Sequence, residues 1–298
     1  MNFLTKIFLE VANLFFNNRI AFYFARRLRL FDAVFVMYPA DYHFADYFTF
    51  RARQWLIRWK PFIVGVVNHP SGKRTLMFAI SAFVDGKDGA SEVVMLRLLH
   101  SRAEVIKERL GANSTHFAGT LPRRFTALKI RRGENQKNER RATQINVVNA
   151  VTWLRVKISH ISENPVVILG SNGYIGKEVV AQLTELGIKV ICVDKVGVSD
   201  SYEKPAMPHI VVNITTPEAI NEYVDPRHMD GNTVLLNEVY PAPHDDVVKQ
   251  MRDLEVKVFH IAGVCANAFP SFPSSYQGAI PCCAALYDED YPIKVVEL

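Results

Sequence analysis

Cysteine is scarce in this chain, and the four that occur exclude two architectures at once. Cys192 falls inside an apolar run that reads as a buried strand, Cys265 stands alone, and Cys282 and Cys283 are adjacent. No disulfide framework and no C-x-x-C metal knuckle can be drawn from them, so no metal site is expected. Lopsided charge is missing too. Lys and Arg number 35 against 30 Asp and Glu, a net +5, and no nucleic-acid motif accompanies that mild excess. The N-terminal stretch Met1–Leu30 is rich in Phe, Leu and Ile, yet Lys6, Glu10, Arg19, Arg26 and Arg27 interrupt it. It never reaches the ~18 uncharged residues that a membrane-spanning helix needs. No small-residue cleavage site follows it, which argues against a signal peptide. Internal repeats and low-complexity tracts are absent as well. With 49% hydrophobic and 22% charged residues over 298 positions, the balance is that of a globular chain of about two domains in a reducing, cytoplasmic setting.

The rest of the chain is organised around Val166–Gly176. An apolar β-branched run ends in Gly170, Gly173 and Gly176, spaced G-x-x-G-x-x-G, and a helical pattern starts at once with Lys177-Glu178-Val179-Val180. Strand, glycine turn and helix in that order are the context of a dinucleotide-binding turn. Gly170 serves the tight turn, Gly173 lets backbone approach a pyrophosphate, and Gly176 lets the helix sit close on the strand. Ser171, Asn172, Tyr174 and Ile175 fill the turn and present N–H groups near a helix N-terminus. The next apolar run, Lys189–Val193, ends in Asp194, where such folds place an acid on the adenosine ribose. Asp194 favours NAD(H), while the neighbouring Lys195 offers a charge that could accommodate the phosphate of NADP(H). A βαβ turn without a nucleotide is the competing reading.

From 165 onward, strands at 165–169, 188–193, 209–213, 233–237 and 256–261 alternate with helices at 175–186, 217–223 and 244–253. That alternation predicts a doubly wound parallel sheet whose ligands lie beyond the carboxyl ends of the strands. Those ends carry Asn213, Thr215 and Thr216, then Glu238, then Gly263, which join the cofactor and catalytic candidates. Ahead of it, Phe31–Tyr38 reads as a buried strand, residues 42–59 as a helix, and 62–68 with 74–80 as a hairpin closed by His69-Pro70-Ser71-Gly72-Lys73. Residues 91–110 read as a helix stopped by Gly111. The expected division is a mixed α/β substrate domain at 1–142 and a dinucleotide-binding domain at 143–298, its last helix, 274–286, returning to the first domain. Between them, residues 123–141 carry many Arg and Lys in a pattern that reads as a solvated loop, or as a docking patch for a phosphate or an acidic carrier protein. Residues 1–30 form one or two amphipathic helices, for packing against the domain or a sister subunit, or for peripheral contact with a membrane.

These residues identify a resemblance. The order of elements is similar to that of two-domain dehydrogenases related to shikimate and amino-acid dehydrogenases. Within that group the chain most resembles the long-chain acyl-(acyl-carrier-protein) reductases of cyanobacteria. The similarity runs from about Phe31 to Tyr287 and is carried by FDAVFVMYPAD, Pro70–Lys73, LGSNGYIG, PHIVVNITTP, NEVYP, IAGVCAN and CCAAL. It implies an enzyme that reduces an acyl thioester, free or carrier-linked, to an aldehyde with NAD or NADP as hydride donor and a cysteine that becomes acylated. The matching position is Cys282. Gln277-Gly278-Ala279 resembles the late pattern of shikimate dehydrogenases, whose glutamine touches substrate, and Asn68, Pro70 and Lys73 echo their lysine motif. Direct hydride transfer to a hydroxy, keto or amino acid is therefore the alternative, and a nucleotide-binding protein without catalysis the third.

A thiolate suits acyl transfer because it is a strong nucleophile and leaves readily. Lys73 could polarise a carbonyl, although a lysine after Ser-Gly is also an ordinary hairpin tip. His69 shares that turn and that ambiguity. Glu238 is the candidate acid. His209 and His260 read as structural histidines, and Asp41 with His43 as a helix cap and its neighbour.

Overall fold

The computed structural model describes residues 1–16, 19–39, 42–50, 58–82, 89–130, 135–158, 161, 163–194, 205, 208–216, 218–224 and 226–298. The chain divides into two compact units. Unit 1 comprises Met1–Glu139 and Cys265–Tyr291; unit 2 comprises Arg140–Val264 and Pro292–Leu298.

Unit 1 opens with helices α1 (Phe3–Phe16) and α2 (Arg19–Arg27), followed by β1 (Ala33–Met37) and α3 (Tyr42–Phe48). The hairpin of β2 (Phe62–Asn68) and β3 (Arg74–Ala79) comes next, then α4 (Gly89–Leu110), β4 (Ser114–Phe117) and α5 (Leu121–Ala127). Strand β10 (Asn267–Phe269) returns late in the chain to complete a five-stranded sheet of order β10-β2-β3-β1-β4. All five residues of β1 are buried, as its uninterrupted apolar run requires for a central strand, and β3 and β4 flank it in parallel. Val34, Val36, Leu76 and Phe78 meet Leu96, Leu99 and Phe117 in the core of this unit.

Unit 2 begins within α6 (Asn135–Lys157). It consists of β5 (Val166–Leu169), α7 (Gly176–Glu185), β6 (Val190–Val193), β7 (His209–Asn213), α8 (Ala219–Tyr223), β8 (Thr233–Asn237), α9 (Asp245–Asp253) and β9 (Lys257–Val264). Strand β11 (Ile293–Glu297) ends the chain. The order is β11-β9-β8-β7-β5-β6, parallel throughout except for β11, which pairs antiparallel with β9. Chain direction across the sheet reverses between β5 and β7. The mixed α/β fold with a doubly wound sheet is thus the one expected, and the β5–β7 boundary is its topological switch point.

Three expectations change. No helix occupies 274–286: Ser274–Tyr276 and Cys282–Ala284 are single 3-10 turns. Gln277 and Gly278 take left-handed φ of 48° and 82°, and Pro281 lacks an N–H, so an α-helix cannot run through. Nor is the basic stretch a loop throughout, although residues 128–129 do form a turn. Leu121 and Phe125 turn one face of α5 into the core, and α6 has begun by Asn135; Arg131 and Arg132 lie outside the described residues. Cys192, expected in the core, is half-buried, because β6 is an edge strand. Of the helix expected over 42–59, Tyr42–Phe48 is helical, while 51–57 and Asp41 lie outside the described residues.

Candidate functional site

The glycine turn lies at the switch point. Gly170 N–H donates to Val193 O at 2.8 Å, extending the β5–β6 ladder by one residue, and its φ of 88° then swings the chain out of the strand. A Cβ on Gly170 would stand 2.7 Å from Thr215 Cβ, so the turn packs directly on the segment leaving β7. A Cβ on Gly176 would stand 2.0 Å from Gly170 O, whereas one on Gly173 would stand 3.0 Å from the same oxygen. Gly176 is therefore required by the turn itself. Gly173 is exposed and faces outward, where a ligand's approach is what a side chain would obstruct.

Asn172 N–H donates to Asp194 Oδ2 at 2.7 Å, which ties the acid at the end of β6 to the turn. Ser171 is 3% exposed, and its Oγ has no partner among the described residues. Ile175 precedes α7 without any side-chain hydrogen bond to cap the helix. The Arg140 guanidinium lies 4.3 Å from the centre of the Tyr174 ring, a cation–π contact beside the turn. An orphaned buried hydroxyl, a side-chain-free approach at Gly173 and an uncapped helix start fit a phosphate-bearing dinucleotide. Lys195 lies outside the described residues.

The neighbouring strand ends carry a buried polar chain. Asn213 Nδ2 donates to Thr216 O at 2.9 Å and to Asn237 Oδ1 at 3.0 Å, and Thr215 N–H donates to Asn213 Oδ1 at 3.3 Å. Asn237 Nδ2 donates in turn to Val239 O, and His260 Nδ1 lies 3.0 Å from Asn237 O. These bonds fix the backbone that flanks the turn. Desolvation lowers the His260 pKa, opposed by its bond to Asn237, and His209 at the start of β7 is wholly buried. Glu238 N–H donates to Asn213 O at 3.0 Å. Its side chain is half-buried, and desolvation pushes the carboxyl up to about 8. Desolvation thus favours its neutral, protonated form. Gly263 lies inside β9 opposite Lys294 of β11, one residue short of the strand's end.

The remaining candidates belong to unit 1. Cys282 is buried at the first position of a three-residue 3-10 turn, so the helix N-terminus that would favour its thiolate is missing. Gln277 is exposed. Lys73 Nζ donates to Asp288 Oδ2 at 2.6 Å and lies 3.7 Å from Glu289 Oε1. The hydrogen bond with Asp288 raises the Lys73 pKa and lowers that of Asp288. Beneath the pair, His69 Nε2 lies 2.6 Å from Thr75 Oγ1, and His69 Nδ1 lies 2.8 Å from Tyr291 Oη. Tyr291 donates to Glu289 Oε2 at 3.1 Å, Leu286 N–H donates to Tyr291 Oη, and Ser71 Oγ donates to Glu289 Oε1. Desolvation holds His69 at about 4 against Glu289, Asp32 and Asp288, and raises Tyr291 out of its ordinary range. Asp288, Glu289 and Tyr291 escaped the sequence reading because no spacing rule links residues 215 to 222 positions apart.

Residues 166–238, from β5 through the end of β8, match the model of the NAD dependent epimerase/dehydratase family. No match is found among curated protein sequences. Among solved structures the chain is similar to D-2-hydroxyisocaproate dehydrogenase, at 13% identity over 76% of this chain and 77% of that one, with a TM-score of 0.29. It is similar to the NAD-complexed D-isomer specific 2-hydroxyacid dehydrogenase of Lactobacillus delbrueckii ssp. bulgaricus, at 12% identity over 77% and 80%, with a TM-score of 0.26. A glucose-galactose binding protein of Geobacillus stearothermophilus overlaps at 10% identity over 89% and 97%, with a TM-score of 0.35. Overlaps this loose say nothing about chemistry, so function has to be argued from the residues.

Proposed function

We propose that the chain is a nicotinamide-dependent oxidoreductase whose unit 2 would hold the dinucleotide at the β5–β7 switch point. The observation that carries this reading is the glycine turn, uncapped at the start of α7 and lined by the unpartnered hydroxyl of Ser171. The match of residues 166–238 to a family named for its NAD dependence supports the same cofactor class. Gly173 and the first turn of α7 would hold the pyrophosphate and Asp194 the adenosine ribose, which favours NAD(H). Titration calorimetry with NADH and NADPH tests it; heat from neither cofactor would overturn it.

The reaction proposed is reduction of an acyl thioester to an aldehyde, a reading that the resemblance of the CCAAL segment supports. The Cys282 sulfur would attack the thioester carbonyl and form a new thioester, while the substrate's thiol leaves with a proton. When bound, the reduced nicotinamide supplies the hydride that converts this acyl group to the aldehyde and frees the cysteine. The exposed Arg123 and its basic neighbours are the proposed meeting surface for an acidic carrier. Incubation with an acyl thioester and no cofactor is expected to add one acyl mass that maps to Cys282 and disappears in Cys282→Ser.

One observation favours a second reading. Lys73 and Asp288 form a close cation–carboxylate pair of the kind that exchanges a proton with a substrate hydroxyl, as direct hydride transfer to or from a hydroxy acid requires. Full turnover of a hydroxy or keto acid by a Cys282→Ser, Cys283→Ser double variant would promote it over the thioester reaction.

A further inference from the structure

Helix α1 buries Leu9 against unit 1 but makes most of its remaining contacts there through polar groups. Its polar side chains hold it to unit 1. Asn13 Nδ2 donates to Ile63 O at 2.9 Å and Asn13 Oδ1 accepts from Ile63 N–H at 2.6 Å, pinning the helix to β2. Thr49 donates to Glu10 at 3.3 Å, and Lys6 Nζ donates to Asp46 O. Apart from Leu9, large apolar side chains point the other way: Leu4 is 74% exposed, Leu14 69% and Phe15 65%. Helix α2 buries the apolar Phe22 and Ala25, yet Tyr23 and Phe24, with Leu28 just beyond its end, are 64%, 56% and 64% exposed. A soluble helix normally faces its apolar stripe inward. Apolar residues clustered outward on two consecutive helices mark an interaction surface.

Charge decides what covers it. The first 30 residues hold five cationic side chains and one acid, Glu10, and that acid is engaged with Thr49. Arg26, Arg27 and Arg29 are exposed beside the apolar face. A second copy docked through the same face by two-fold symmetry would bring arginines toward arginines. An anionic lipid surface instead offers acyl chains to the Leu and Phe side chains and phosphate oxygens to the guanidinium groups. No helix among the described residues is long and apolar enough to cross a membrane, so such contact lies in the interface plane.

We propose that α1 and α2 together form an anionic-lipid-binding surface that seats unit 1 on a membrane. The test is flotation of the full chain with vesicles of phosphatidylcholine alone and of phosphatidylcholine mixed with phosphatidylglycerol. Binding to the mixed vesicles is expected to be about tenfold tighter or more, and to weaken with salt. A Leu4→Glu, Leu14→Glu variant is expected to lose binding to both. Arg26→Gln with Arg27→Gln, at exposed positions that leave the buried contacts untouched, is expected to lose the preference for anionic vesicles. Failure of the parent chain to float with the mixed vesicles would overturn the proposal. So would elution as a dimer without vesicles that Leu14→Glu converts to a monomer, because the face would then belong to a second copy.

Discussion

Asn172 and Asp194, 22 positions apart, are joined by a 2.7 Å hydrogen bond from backbone N–H to carboxylate. The acid expected to recognise a ribose thus also holds the glycine turn in place. Asp194→Ala removes a charge-assisted bond worth about 1.5–3 kcal/mol. Affinity for NADH is expected to fall about tenfold or more, and affinity for NADPH to fall less, in calorimetric titration of each. Tighter binding of NADPH than NADH by the parent protein would refute the proposed preference.

The glycines should separate stability from binding. At Gly176 a Cβ would meet Gly170 O at 2.0 Å, so Gly176→Ala is expected to cost about 3 kcal/mol and to lower the melting temperature. At Gly173 the same atom stands 3.0 Å away. Gly173→Val is therefore expected to cost less stability than Gly176→Ala while abolishing dinucleotide binding. Undiminished binding by Gly173→Val would mean that the site has been misplaced.

Stability should vary with pH in two opposed ways. Glu238 titrates at about 8 when folded against 4.5 otherwise, so its contribution is full below pH 4.5 and is lost as pH rises through 8. His69 titrates at about 4 against 6.5, so its contribution is present above pH 6.5 and is lost as pH falls toward 4. Each group adds a slope of at most about 1.4 kcal/mol per pH unit. Glu238→Gln is expected to flatten the alkaline limb of a urea-unfolding series. His69→Gln should weaken the acid limb without removing it, because desolvation also holds His116 at about 4. An unchanged alkaline limb in Glu238→Gln would contradict the assignment.

Lys73 and Asp288 are 38% and 46% exposed, and exposed ion pairs contribute little. Lys73→Met is expected to cost less than about 1 kcal/mol by thermal unfolding. Thioester turnover should persist in that variant. A hundredfold loss of turnover at unchanged stability would place Lys73 in the chemistry and favour direct hydride transfer.

What the sequence determined by itself is local. Uninterrupted β-branched runs such as Val166–Leu169 can be satisfied only as buried strands, and three glycines after one of them can form only a tight turn into a helix. The alternation of strand and helix then made a doubly wound sheet the economical solution, and its strand ends could be named in advance. Where local signals competed, tertiary structure decided. The 274–286 segment carries helix-forming residues, but Pro281 and the left-handed Gln277 and Gly278 leave two isolated turns. The Arg-rich stretch hides Leu121 and Phe125 on one helical face, a pattern too short to stand out from the charges around it. The meeting of His69 with Tyr291 depends on the chain's return to unit 1 after Val264, which no spacing encodes. The outward face of α1 is the same kind of fact. Periodicity reveals that a helix is amphipathic, but which stripe faces protein was set by Asn13 finding the backbone of Ile63.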